Sequence, residues 1–300
     1  MRAKPNEHSS GGELFLQRLM RYTGRLPFND FCMQQGQSRK LIFILAGASV
    51  LIASLALGFA TARSLMNRRS PATAPRLDRM PRVMLWAWER PVDLRFIDPK
   101  ETGVAFLART IRLRSSEVEV RPRLQPLNLP EATSVMAVAR VETDKIGKPA
   151  LSAHQREQLA GAIVEMARLP NVSNILIDFD ATQSERAFYR DVIVDVRRRL
   201  PDTVSLSITA LASWCTSDDW LSDLPIDEAV PMLFRMAADG KQIARRLDAG
   251  DDFIVPQCRH SYGVSTDEPR SGLLPARRRY VFNPDPWTAE MVHAILESRK

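Results

Sequence analysis

The chain has 300 residues, 45% of them hydrophobic, and a formal net charge of +7. That length admits one or two domains with a full core. The basic excess invites a nucleic-acid reading, but its location excludes one. Residues 1–82 hold 13 Lys and Arg against 4 Asp and Glu, while residues 83–300 hold 29 against 31. The large C-terminal part therefore lacks the electrostatic footprint of a nucleic-acid binder.

Residues 1–40 read as a polar cytoplasmic tail, and Met33 lies where an ordinary start would, ahead of Arg39 and Lys40. Residues 41–62, LIFILAGASVLIASLALGFATA, carry no charge over 22 positions. A helix of that length spans about 30 Å, the thickness of the hydrocarbon core, so the segment is read as a transmembrane anchor. Ala60-Thr61-Ala62 fits a cleavage pattern, but the apolar run is long for a signal peptide and an uncleaved anchor is preferred. Four Lys and Arg lie in the 20 residues before the segment and six in the 20 after it. Those charges favour a cytoplasmic C-terminal side, yet long domains translocate largely regardless of flanking charge. The expected topology is a single pass through a membrane, with the main domain exported.

Residues 63–82, rich in Arg, Pro and Ser, read as an extended linker. From Val83 to Lys300 short apolar runs recur: Val83–Trp88, Gly103–Leu113, Ser134–Glu142, Asn174–Asp180, Val204–Ala212, Glu228–Phe234, Phe253–Cys258 and Arg278–Asn283. EVEVRPRLQPL could add a further strand. Two intervening helices are well signalled. One starts at Ser152, which has capping-box spacing to Gln155, and ends before Pro170. The other starts at Ser184, with Glu185 in its first turn, Arg197–Arg199 in its last, and Phe188, Val192, Val196 and Leu200 as its apolar stripe. Strands alternating with helices predict an α/β fold, a (β/α)8 TIM-like barrel over residues 83–300 preceded by the one transmembrane helix. A doubly wound open sheet is the runner-up, though no glycine-rich phosphate loop supports it.

Strand side chains alternate, so Leu176, Asp178 and Asp180 share one face and Ile175, Ile177 and Phe179 the other. The apolar face should meet the helices, which aims both aspartates into the barrel near its C-terminal mouth. Arg140 and Glu142 share a face of the preceding strand, and Ser205, Ser207 and Thr209 share one in the next. Buried charges need partners, and Arg140 can offset an aspartate. The candidate carboxylates are Asp178, Asp180, Glu142 and Glu228. Trp86, Trp88 and Glu89 end the first strand, Trp214 follows the fifth, Tyr262 the seventh and Trp287 the eighth. Aromatic rings near carboxylates suit a sugar-binding cleft, so Trp86, Trp88, Glu89, Arg140, Thr209, Trp214, Arg235 and Tyr262 are candidate substrate contacts. The loop Cys258–Pro269, with His260, Asp267 and Glu268, is a candidate rim or lid. No His/Cys cluster has metal-ligand spacing, and neither a metal nor another cofactor is expected. Cys215 and Cys258 could pair in an oxidising compartment, although two free buried thiols is the preferred reading.

The runs VMLWAWERPVDLRFID, IDFDATQSERAFYRDV, LSITALASWC, DEAVPMLFRM and GVSTDEP resemble a bacterial domain family of unknown function across Val83 to Trp287. That resemblance implies a barrel related to glycoside hydrolases and an anchor in a bacterial inner membrane, with the main domain periplasmic or extracellular. A weaker likeness is to chitinase-type barrels, whose fourth strand ends DxxDxDxE. Asp178 and Asp180 match its last two aspartates, but Ile175 replaces the first and Thr182 the glutamate that acts as general acid. Glu185, three residues farther on, is not an obvious substitute. The expectation is a membrane-anchored, exported, glycoside-hydrolase-like barrel whose partner is a glycan or polysaccharide. In a catalytic version Asp180 would be the general acid, with Glu142 or Glu228 as second carboxylate. The alternatives are an inactive glycan-binding barrel and an envelope scaffold. The sequence does not fix the oligomeric state.

Overall fold

The structure, a computed structural model, describes residues 75–298 apart from residue 219. The tail, the apolar segment 41–62 and most of the linker lie outside the described residues. Among the described residues no helix is long and apolar enough to cross a membrane.

The strands in chain order are β1 (Val83–Ala87), β2 (Val92–Asp93), β3 (Thr102–Arg114), β4 (Glu117–Pro122), β5 (Leu127–Asn128), β6 (Val135–Thr143), β7 (Val172–Asp178), β8 (Ser205–Leu211), β9 (Glu228–Met232), β10 (Ser261–Ser265) and β11 (Arg278–Phe282). Eight of them form a closed ring in the order β1-β3-β6-β7-β8-β9-β10-β11, because β1 pairs in parallel with both β3 and β11. This is the closed parallel barrel that the sequence pattern predicts. β4 folds back antiparallel on the long β3, and β2 pairs with β5 outside the ring. The helices are α1 (Ala153–Val164), α2 (Arg186–Arg199), α3 (Ala212–Thr216), α4 (Gly240–Asp248) and α5 (Ala289–Glu297).

Side-chain alternation divides the core into layers. Met84, Trp86, Met136, Val138, Leu176 and Val230 fill the lumen. Ile175, Ile177, Leu206 and Ile208 point the other way, against Leu159, Ile163, Val192 and Val196 of α1 and α2. Ser152 caps α1 by accepting from Gln155 N, as its spacing predicts. The start of α2 differs from the Ser184 expectation. Thr182 and Glu185 form the capping box there, and a 3-10 turn, Gln183–Glu185, leads into the helix.

The seventh predicted strand is misplaced. Phe253, Val255 and Cys258 are buried, but they join the sheet–helix layer, and Pro256 opens a 3-10 turn over Pro256–Arg259. The strand is β10 instead, a sequence with little apolar character on its inner face. Gly263 faces the lumen there, and a Cβ at that position would run into Met232 Sδ. The stretch read as linker also contributes to the barrel: Leu77 and Met80 are buried in the lumen cluster and close its floor.

Cys215 of α3 is bonded to Cys258 of the turn, with Cα atoms 5.9 Å apart. The free-thiol reading is thereby corrected; both cysteines are fully buried in the sheet–helix layer, within bridging reach of each other. The bond closes a loop of 43 residues' separation. Chain-entropy bookkeeping makes such a closure worth about 4 kcal/mol. Urea unfolding should therefore shift to markedly lower midpoint when reductant is added. The double variant Cys215→Ser/Cys258→Ser should start at that lower midpoint and ignore reductant. A wild-type midpoint indifferent to reductant would rule the bond out.

Candidate functional site

β6, β7 and β8 carry a polar cluster to the C-terminal mouth. Arg140 on β6 stands in register with Asp178 on β7. Its Nη1 donates to Asp178 Oδ2 at 2.9 Å, and the Thr209 hydroxyl on β8 donates to Asp178 Oδ1 at 2.9 Å. Both Asp178 oxygens are thus engaged, and its side chain is only 9% exposed. Asp180 lies two residues beyond the strand, 55% exposed, with Arg140 nitrogens 3.4 Å away. Glu142, two residues along β6 from Arg140, pairs with Arg112 at 3.1 Å and is 37% exposed.

Burial pushes the Asp178 carboxyl above its ordinary range; Arg140 opposes that shift and Asp180 adds to it. Burial pulls the Arg140 guanidinium down, but Asp178, then Asp180 and Glu142, outweigh it and hold its pKa above normal. One cation thus feels all three carboxylates. Thr182 and Glu185 are committed to each other, since the Thr182 N–H and hydroxyl both donate to Glu185 Oε2 at 2.7 Å. The glutamate nearest the missing acid position is a helix cap.

Aromatic residues at or just past the ends of β1, β9 and β11 form a wall at the same end. In ring order β1 is three strands from β7, β11 is four and β9 is two. Trp86 and Trp88 stack with centroids 6.1 Å apart. Trp88, Met232 and Phe282 pack on the lumen cluster. Phe234 stacks on Phe282 at 5.6 Å and 9° between planes. The Arg235 guanidinium covers that pair, 6.0 Å from Phe234 and 5.4 Å from Phe282. Arg235 has a left-handed backbone (φ 50°), which costs on the order of 1–3 kcal/mol. Two acids hold it there: Glu268 accepts its backbone N–H at 2.8 Å and Asp267 accepts Nη2 at 3.0 Å.

The structure thus brings Asp178, Asp180, Glu142, Arg140, Thr209, Trp86, Trp88 and Arg235 to the mouth or its underlying lumen, with Glu89 exposed on the loop after Trp88. Three predicted residues lie elsewhere. Glu228 opens β9, fully buried at the opposite end of the barrel, where it accepts from Arg278 Nη1 (3.1 Å) and Tyr280 Oη (2.7 Å). Trp214 sits on α3 in the outer layer, edge-on to Trp220 at 5.0 Å. Tyr262 points outward from β10 against Phe253 and the Arg277 guanidinium. Its misplacement follows from the misread seventh strand, which left it in a loop. Phe234 and Phe282 were missed, although strand parity from Met232 and Tyr280 gives their direction. Of the rim loop, Asp267 and Glu268 do lie at the rim, but Ser261–Ser265 is strand. Two concavities lie away from this mouth, one of about 720 Å³ beside the floor residues Met80 and Arg82 and one of about 440 Å³ between β4 and α1. Neither is lined by a predicted site residue.

No protein-family model matches the chain, and no curated protein does. Solved structures resemble it in part. A spore cortex-lytic enzyme of Bacillus cereus, SleL, aligns at TM-score 0.41 and 16% identity over 62% of this chain and 51% of its own length. A chitinase from Rhizomucor miehei aligns at 0.40 and 10%, over 61% of this chain and 68% of its own. The chitinase domain of the Clostridium difficile spore coat protein CotE aligns at 0.37 and 13%, over 63% and 66%. Likenesses this distant say nothing of this chain's chemistry, and the barrel rests on its own strand register.

The raised Asp178 carboxyl has a pH signature. Between the unfolded and folded values the native state holds a proton that the unfolded chain has released. Its contribution to stability is therefore present at low pH and falls as pH rises through that window. Asp178→Asn should remove this downward slope, which unfolding titrations starting near pH 4 would measure. An unchanged slope would show that Asp178 does not carry it.

Proposed function

We propose that the protein is a membrane-tethered, exported barrel that binds a glycan at its C-terminal mouth without cleaving it. One observation carries the reading: the aromatic pairs Trp86–Trp88 and Phe282–Phe234 and the charged cluster of Arg140, Asp178 and Asp180 all stand at the C-terminal ends of the barrel strands. Ring faces stack on the apolar faces of sugars, and the charged cluster supplies acceptors and a donor for hydroxyls. Binding is favoured over hydrolysis by the state of the carboxylates. Most glycoside hydrolases use two carboxyl groups that flank the bond. Asp178 has both oxygens engaged, Glu185 caps a helix, Glu228 lies at the floor, and Asp180 and Glu142 are each paired with an arginine. Export is supported by the Cys215–Cys258 bond, which suits an oxidising compartment, together with the charge-free segment 41–62.

A second reading has one observation in its favour. Asp180 and Glu142 are both part-exposed at the mouth and both act on Arg140, so a hydrolase with Asp180 as general acid and Glu142 as second carboxylate is the alternative.

Co-sedimentation of the full-length chain, in detergent, with peptidoglycan sacculi and with chitin separates the two. Trp88→Ala should lose at least about tenfold in affinity, since a buried aromatic face is worth about 1.5–3 kcal/mol. Asp180→Asn should weaken binding too, with no reducing sugar released by any form. Reducing-end release that Asp180→Asn abolishes would establish the hydrolase instead, and binding to neither polymer would remove both as ligands.

A further inference from the structure

Arg123 lies just past β4, on a hairpin that the eight-strand ring does not require. Its backbone N–H donates to Ala108 O at 2.9 Å, which fixes where the side chain starts. The guanidinium then reaches the loop after β1. Nη1 donates to the carbonyls of Trp88 and Ala87, Nη2 to Arg90 O at 2.6 Å, and Nε to Gln125 O at 2.9 Å. All its hydrogen bonds among the described residues go to carbonyls. Several other arginines withdrawn from water meet a carboxylate instead, among them Arg109, Arg140, Arg277 and Arg278. A cation partly withdrawn from water without an ion pair is costly, and burial accordingly lowers its pKa. Only a planar fork of five donors can hold so many carbonyls at once, which lysine cannot do.

Arg90 repeats the device at the far side of the same loop. Its Nη1 donates to Pro284 O at 2.6 Å, and its Nη2 to Asn283 O at 2.8 Å and to Asp285 O. The Trp287 indole N–H donates to Trp86 O at 3.1 Å. The three-residue segment Trp88-Glu89-Arg90 is therefore stitched to the hairpin on one side and to the loop after β11 on the other. What it presents to the mouth is the Trp88 ring.

We propose that Arg123 is a positioning residue for the glycan site: it fixes the Trp88 backbone so that the ring stands stacked on Trp86 as the end of the aromatic wall. This inference rests on the glycan-binding reading for its purpose, but the clamp itself is measurable without any glycan. In the full-length chain, Arg123→Gln should raise amide hydrogen exchange over residues 88–92 by about tenfold or more, while residues 172–178 keep their protection. Arg123→Lys, which keeps the charge and the stem, should do the same, and it carries the test where Arg123→Gln does not fold. Exchange that stays unchanged over 88–92, or that rises equally throughout the barrel, would overturn the clamp. Sacculus binding supplies the readout that a merely structural role would not move. Arg123→Gln should lower affinity nearly as far as Trp88→Ala, and adding it to Trp88→Ala should lower affinity no further. An additive double variant would refute positioning through Trp88. Absence of sacculus binding by the wild type counts against the glycan reading alone, since the exchange pattern still decides the clamp.

Discussion

A closed parallel ring has two ends, and in this barrel one of them is sealed by a buried ion pair. Arg278 crosses the floor at 4% side-chain exposure and donates to Glu228, to Leu77 O at 2.8 Å and to Pro81 O at 3.1 Å. Tyr280 satisfies the second Glu228 oxygen. Removing either charge would leave the other buried and unpaired, at about 3–5 kcal/mol. The same arginine draws the incoming chain across the opening, so that Leu77 and Met80 fill the space below Met84 and Tyr280. With the floor closed by polar satisfaction and apolar filling together, a ligand of the lumen has only the C-terminal end to enter by.

The mouth uses the same chemistry with a different result. Arg140 and Asp178 repeat the floor's arrangement of arginine, carboxylate and hydroxyl donor, Thr209 taking the part of Tyr280. The difference is one more acid. Asp180 adds a second carboxylate to the same guanidinium but stands beyond the strand, where water reaches it. The upper pair is thus satisfied without being sealed. Its inner member fixes the geometry, and its outer member has acceptor capacity left over. The aromatic half achieves the same thing by stacking. Trp86 is buried and immobilised, whereas Trp88, Phe282 and Phe234 are only partly covered.

Much of this was legible in the sequence because two signals were strong. Period-two alternation in NILIDFD assigned Asp178 to the lumen and Ile175 and Ile177 to the helices. The same parity placed Arg140 and Thr209 beside it. The failures came where burial and secondary structure part company. Phe253–Cys258 is as buried as any strand, but its apolar residues serve the outer layer and a disulfide, which periodicity does not distinguish from a strand. The true seventh strand, SYGVS, has two serines and a glycine facing inward and so lacks an apolar face to announce it. Glu228 and Asp178 look alike in sequence, both being acids on inward-facing strand positions. Only position along the strand separates them: Glu228 opens its strand at the floor, and Asp178 closes its own at the mouth. The Arg123 clamp had no local signal at all, because its partners lie about 35 residues away and are backbone carbonyls, for which any sequence would serve.

Two departures from regular strand–helix alternation fall beside Trp86 and Trp88. Between β1 and β3, and again between β3 and β6, no α-helix covers the barrel; β2, β4 and β5 occupy those connections. Val92 and Leu94 of the first connection cover the outer faces of β1 and β3 in place of a helix, with Leu127 of the second packed against them. A helix in the second connection would have provided the same apolar cover. It would not have carried an arginine over the barrel rim to the carbonyls of Trp88 and Arg90, because a helix returns the chain directly along the outside to the next strand. A hairpin continuing beyond β3 reaches the mouth and then comes back. The irregular connections thus hold the Trp88 end of the rim through hydrogen bonds to backbone carbonyls. The regular strands β6 to β8 hold Asp178 through register and the side-chain hydrogen bonds that register brings together. A binding site on rigid elements needs both kinds of support, since aromatic rings at loop tips are not oriented by strand pairing.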